Sequence, residues 1–212
     1  MPDRKAAYPG AAAYLPASHS LTACRKAVDA CHGCPLYRRA THAVFGEGAA
    51  HSPLVLIGEQ PGNDEDLSGR PFVGPSGKLL DRALAEAGVD RGKAYVTNVV
   101  KHFKWTPSGE KRLHKKPDAA EIAACRPWLE AELAAVKPVT IVALGATAGQ
   151  ALLGRAFRVT RQRGVPLTTP FAPHLIATIH PSAVLRQRTP DDRAREYAAL
   201  VADLKVVAAT VT

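Results

Sequence analysis

The sequence predicts an α/β domain: a three-layer α/β/α sandwich around a central four-stranded, mainly parallel sheet. Three observations carry that prediction. Four apolar runs of strand length, rich in β-branched residues, are nearly continuous rather than alternating, as in strands buried on both faces of a sheet. Helical patterns lie between them. The connections are short, so strand and helix alternate along the chain.

Taken in order, residues 1–20 are rich in alanine and proline and are expected to form a flexible arm ahead of one domain, residues 21–212. Residues 21–30 carry a short helical pattern that leads into Cys31-His32-Gly33-Cys34. The first strand is expected over residues 53–58 (PLVLIG). A helix over residues 76–87 follows, with Leu79, Leu80, Ala83, Leu84 and Ala87 on one face and Gly88 as its C-terminal stop. Residues 94–100 (AYVTNVV) read as the second strand. The next helix, residues 118–136, opens on Pro117-Asp118 with Glu121 three residues later, the signature of a capping box. A third strand over 140–145 (TIVALG), a helix over 146–153, a fourth strand over 175–179 (LIATI) and a helix over 191–209 complete the chain. Ligands of open α/β sheets bind beyond the carboxyl ends of the strands. The loops after Gly58, Asn98, Gly145 and Ile179 are therefore expected to carry the chemistry.

A chain of 212 residues, 46% hydrophobic and 22% charged, can bury a core without disulfides. It has no run of about 18 apolar residues that would span a membrane, and its N-terminus lacks a continuous apolar segment of the secretory kind. A cytoplasmic, monomeric protein is expected. Twenty-eight Lys and Arg against 19 Asp and Glu leave a net charge of +9, which favours a polyanionic partner through counterion release. The densest basic stretch, residues 101–116, places Lys101, Lys104, Lys111, Arg112, Lys115 and Lys116 around Trp105, with Glu110 as its one acidic residue.

Cys31 and Cys34 can reach one metal centre from a single turn, and Cys125 lies early in the 118–136 helix. The spacing is compatible with zinc, an iron–sulfur cluster, a redox dithiol or plain buried thiols. A fourth ligand would come from Cys24 or a histidine such as His102.

At the strand ends the chain carries Gly58-Glu59-Gln60-Pro61-Gly62, Gly69-Arg70-Pro71-Phe72-Val73-Gly74, Thr97-Asn98-Val99-Val100-Lys101 and His180-Pro181-Ser182, in that order. With Cys31-x-x-Cys34 and Cys125-Arg126-Pro127-Trp128, this set resembles the family 4 iron–sulfur uracil-DNA glycosylases, from about Cys31 to the last helix. Three departures stand out. Gln60 replaces a small residue, His102 replaces a cysteine, and a basic insertion runs from Gly109 through Glu110-Lys111-Arg112-Leu113-His114-Lys115-Lys116 to Pro117. Those differences resemble the X-type subgroup (UdgX), which becomes covalently joined to DNA after excising uracil. The resemblance implies a uracil-DNA glycosylase-like fold and a [4Fe–4S] cluster held by Cys31, Cys34, His102 and Cys125, with Cys24 a bystander. It also implies uracil-containing DNA, preferably single-stranded, as the partner.

On that reading the uracil nucleotide must be flipped out of its stack to expose the glycosidic bond. Phe72 would stack on the extruded base, and Asn98 offers the donor and acceptor that match its N3–H and O4 edge. Glu65, carried over from the family, would help exclude thymine's methyl group. Gly58, Gly62 and Ser182 fall with the substrate-binding residues, the glycine-rich turn offering backbone amides. His180 would donate a hydrogen bond to the charge developing on O2. His114 would capture C1′ of the sugar in place of water, kept neutral by the surrounding cations. Glu59 would orient it or accept its proton, Gln60 would hold the loop closed, and Arg112 would anchor it. Lys111, Lys115 and Lys116 would bind DNA phosphates. Three other readings share these residues: a conventional multiple-turnover glycosylase, a non-enzymatic single-strand-binding module using Trp105, and a redox protein of flavodoxin-like fold.

Overall fold

The computed structural model describes residues 8–211. Its main sheet has five strands: β1 (Leu54–Gly58), β2 (Ala94–Asn98), β5 (Thr140–Leu144), β6 (Pro166–Thr169) and β7 (Ala172–Thr178), in the order β2-β1-β5-β7-β6. All neighbours are parallel except the last pair, β6–β7. A separate antiparallel hairpin, β3 (Trp105–Ser108) and β4 (Lys111–His114), rises from the segment after β2. The principal helices are α1 (Leu21–Ala27), α3 (Pro75–Glu86), α4 (Ala119–Val136), α5 (Ala146–Leu153) and α8 (Pro190–Ala208). Short turns of helix, α2 (Asn63–Ser68), α6 (Val159–Gln162) and α7 (Pro181–Leu185), flank the strand ends.

The alternation of side chains along each strand generates the two halves of the core. Val55, Ile57, Tyr95, Ile141, Ala143 and Leu175 face one side and pack with α1, α4 and α5. Leu54, Leu56, Val96, Val142, Leu144 and Ile176 face the other and pack with α3 and α8. The central strands are nearly continuously apolar because both faces are covered, so three layers form as the sequence predicts.

The fifth strand was not expected. β6 (PLTT) is half exposed, polar and irregular in register, as suits a short edge strand. The expected second strand, 94–100, ends at Asn98, yet Val99 and Val100 still donate to the carbonyls of Gly58 and Glu59 at 2.9 and 3.1 Å. The capping box is present: Asp118 accepts from Glu121 N at 3.0 Å and Glu121 accepts from Asp118 N at 2.7 Å. Gly88 follows α3 with φ +76°, as a C-terminal stop requires.

Residues 1–7 of the expected arm lie outside the described residues. The part that is described is packed rather than free. Ala11 is buried, Tyr14 and Leu15 lie against the same core, and Gly10 N donates to Gly33 O at 2.9 Å. The arm thus straps onto the Cys31–Cys34 turn.

Candidate active site

The carboxyl ends of β1, β2, β5 and β7 open into a pocket of about 890 Å³. Glu59, Gln60, Gly62, Glu65, Phe72, Asn98, His114, Lys116, His180 and Ser182 all line it. Gly58 lies beneath the wall. A Cβ there would collide with Asn98 Oδ1 and sit 2.8 Å from Phe72 Cζ, so glycine lets the amide and the aromatic ring converge. Asn98 is 2% exposed, at the last position of its strand. Phe72 adopts φ +58°, a left-handed conformation that costs an L-residue about 1–2 kcal/mol. The Phe72 ring lies 6.3 Å from that of His180, tilted 31°. Glu65 uses both carboxylate oxygens on backbone amides, Gly62 N at 3.0 Å and Gly74 N at 2.8 Å. It therefore fixes the two loops that present Gly62 and Phe72.

The basic insertion supplies the turn and second strand of the β3–β4 hairpin, whose last residue, His114, lies over the pocket, 51% exposed. Gln60 pins it. Its carbonyl accepts from Lys104 N at 3.0 Å, and its amide donates to Lys115 O at 3.0 Å and faces His114 Nε2 at 2.8 Å. Because the backbone partners orient the Gln60 amide, His114 Nε2 meets a donor and carries the lone pair. Glu59 Oε1 stands 3.8 Å from that nitrogen, beyond hydrogen-bonding distance. The other Glu59 oxygen accepts from the Thr147 hydroxyl at the first turn of α5. Arg112 turns away from solvent to pair with Asp66, donates to Asn63 Oδ1 at 3.2 Å, and stacks 4.6 Å from the Trp105 ring centre.

The fold redistributes the basic stretch. Lys101 is fully buried and bonds Glu132 at 2.5 Å, Thr97 at 2.7 Å and the Asn98 carbonyl at 2.8 Å. Lys104 pairs with Glu121 at 2.7 Å. Lys111, Lys115 and Lys116 are exposed, and of these Lys116 lines the pocket. The His114 imidazole is held below the ordinary histidine value by partial burial, with Glu59 opposing and Arg186 assisting. The loop cations expected to do this are not among the causes: Lys111, Lys115 and Lys116 are exposed, where solvent screens them, and Arg112 is paired with Asp66. His180 is pushed down to about 4 by burial, then by Arg186 and His114.

The profile of the Uracil DNA glycosylase superfamily matches residues 45–205. The chain belongs to that superfamily. It is 40% identical over 163 residues to the type-4 uracil-DNA glycosylase of Thermotoga maritima, covering 76% of this chain and 81% of that protein. It is 38% identical to the type-4 uracil-DNA glycosylase of Pyrobaculum aerophilum, over 74% of this chain and 80% of that one. The type-4 uracil-DNA glycosylase of Sulfurisphaera tokodaii is 34% identical over 78% of this chain and 76% of its own length.

In this member of the superfamily, two of the pocket-wall residues that sequence reasoning missed act on the expected ones. Thr147 holds Glu59, and Arg186, at the end of α7, acts on both histidines. No motif flags either; both are defined by partners distant in sequence or one helical turn away.

Cys31, Cys34 and Cys125 are buried free thiols, and Cys31 is among the groups acting on both Cys34 and Cys125. Burial pushes Cys34 up to about 11 and Cys125 up to about 12. Leu36 N–H points at the Cys34 sulfur, and Lys101 N donates to Cys125 Sγ at 3.3 Å. That last bond places Cys125 against the residue preceding His102. His102 is 5% exposed and pushed down to about 4 by burial, with Asp66 and His32 as its charged neighbours. His32 belongs to the Cys31–Cys34 turn. Cys24 is buried elsewhere, with Glu132 as its charged neighbour. Among the described residues, no three His, Cys, Asp or Glu side chains are drawn together around a single-ion position. Three thiols, a neutral imidazole and N–H groups aimed at sulfur are the donor chemistry of an iron–sulfur site.

Proposed function

We propose that this protein excises uracil from DNA, preferentially single-stranded and as a monomer, and that His114 then bonds to C1′ of the deoxyribose in a single turnover. The observation that carries the reading is the convergence of Asn98, Phe72 and His180 in one pocket, which His114 also lines from the hairpin with its Nε2 held by the Gln60 amide. Asn98 can donate to O4 and accept from N3–H of uracil, a pattern that cytosine reverses. Phe72 stacks on the flipped base. As the C1′–N1 bond breaks, its electron pair leaves on uracil, and an N–H of His180 meets the charge on O2. Glu59 offsets the positive charge left on the sugar.

His114 Nε2 then gives its lone pair to C1′. The imidazole loses its Nδ1 proton, uracil gains one, and a neutral N-alkyl histidine remains. A [4Fe–4S] cluster held by Cys31, Cys34, His102 and Cys125 would tie the N-terminal turn, the β2 exit and α4 together behind the pocket. Lys111, Lys115 and Lys116 hold the phosphates, while Arg112 anchors the hairpin through Asp66 and Asn63.

The names of the relatives favour a second reading, ordinary type-4 turnover with water attacking C1′. The single-strand-binding module is disfavoured because Arg112 covers a face of Trp105. A denaturing gel of a labelled single-stranded oligonucleotide carrying one uracil separates these readings. Wild type is expected to give a heat-resistant shifted band, and His114→Ala free abasic product instead. Abasic product without a shifted band from wild type would leave ordinary turnover; intact uracil would remove the glycosylase reading.

A further inference from the structure

We propose that Arg186 is a positioning residue of this site: through the Ser182 hydroxyl it fixes the His180 proton on Nε2, the nitrogen that serves the pocket. This deepens the glycosylase reading and rests on it for its consequence, but the relay itself stands on geometry. Arg186 Nη1 lies 2.8 Å from Ser182 Oγ, and a guanidinium can only donate. One of the hydroxyl's two lone pairs therefore accepts from Arg186, and its proton is free to turn to His180 Nδ1, 2.8 Å away. Ser182 N–H, also a donor only, points at the same Nδ1 from 3.2 Å. Two donors converge on one ring nitrogen, so Nδ1 carries the lone pair and the neutral ring carries its proton on Nε2.

Nε2 has no hydrogen-bond partner among the described residues, and His180 lines the pocket. The arrangement is built into α7. His180 caps the helix through Nδ1, Ser182 sits in the first turn, and Arg186 follows four residues later on the same face. Gly145, at φ +92°, leaves room beside it, since a Cβ there would sit 3.0 Å from His180 Cβ.

Protonating His180 would place a third donor at Nδ1, against both Ser182 groups. The charged groups around the ring act the same way: Arg186 from α7 and His114 from the hairpin both disfavour a second positive charge. Glu59, Lys116 and Glu65 line the same pocket from the β1 turn, the hairpin exit and α2.

Nitrogen-15 NMR of histidine-labelled protein reads the tautomer without any substrate. Wild type is expected to show His180 as the Nε2–H form, and Arg186→Gln and Ser182→Ala a mixture containing Nδ1–H. Single-turnover excision at saturating DNA should then fall about ten- to a hundredfold in either variant. The double variant should lose no more than one alone, and Ser182→Thr, which keeps the hydroxyl, should retain most of the rate. The affinity for DNA and its salt dependence should change little. An Nδ1–H ring in wild type, unchanged tautomers in both variants, or losses that multiply would overturn the relay. So would an Arg186→Gln variant that loses affinity and salt dependence at unchanged rate, which would make Arg186 a phosphate ligand. A wild type that leaves uracil intact removes the glycosylase reading alone, and the NMR result still decides the relay.

Discussion

Glu59 and His114 stand close enough to interact electrostatically and too far apart to share a hydrogen bond, which makes their coupling measurable. The proposed capture needs the neutral imidazole, so it is expected above the His114 pKa and should be lost as pH falls through it. That pKa lies below the ordinary value because burial outweighs the pull of the Glu59 carboxylate. The ratio of captured to excised DNA is therefore expected to hold from pH 8 to about 6.5 and to decline only at lower pH. Glu59→Gln removes the one influence that raises the pKa and should move this acid limb further down. A quantitative gel across pH checks it, and an upward shift would contradict the assignment of charges. At this scale much of the site was legible in the sequence. Asn98, Phe72 and His180 sit at strand ends or in their loops, where an α/β sheet must place its ligand contacts. Thr147 and Arg186 were not legible, since a threonine in a helix and an arginine after a leucine acquire meaning only from partners that folding supplies.

The β3–β4 hairpin adds His114 to a pocket that is otherwise built from strand ends and their loops. Gln60 reaches from the β1 turn to the backbone of Lys104 and Lys115, on both sides of the hairpin, and so sets its position over the pocket. Gln60→Ala is expected to slow capture by up to about a hundredfold, the scale of a misplacement near 1 Å, and to leave excision within about twofold. Single-turnover time courses of abasic and cross-linked products test this; equal losses in both would mean that Gln60 serves the pocket rather than the hairpin. The sequence marked this segment as a basic insertion but not as a hairpin. Its strands hold Pro107 and three charged or polar residues of β4, and they pair only with each other, so no apolar face announced them. The edge strand β6 was hidden for the same reason.

Across the whole molecule the charge of +9 divides into two kinds. Lys101 lies in the core against Glu132, where removing one partner would leave a buried charge, and Lys104 and Arg112 brace the hairpin. Lys111, Lys115 and Lys116 remain exposed. Replacing these three by alanine is expected to reduce the slope of log affinity against log salt by about 2, at roughly 0.7 per single-strand phosphate contact. Binding titrations from 50 to about 300 mM salt measure it, and an unchanged slope would assign the phosphates to other cations. The amino-acid sequence by itself determined the three-layer class, the order of its principal strands and helices, and the strand ends where the pocket lies. Those follow from local periodicity, from nearly continuous apolar strands and from capping residues, all written within a few neighbouring positions. Only the tertiary structure decided which lysines face solvent, which nitrogen of each histidine carries its lone pair, and that the described part of the N-terminal arm packs against the cysteine turn. Each depends on a donor, acceptor or wall contributed from elsewhere in the chain, and such pairings arise only when the backbone has closed around them.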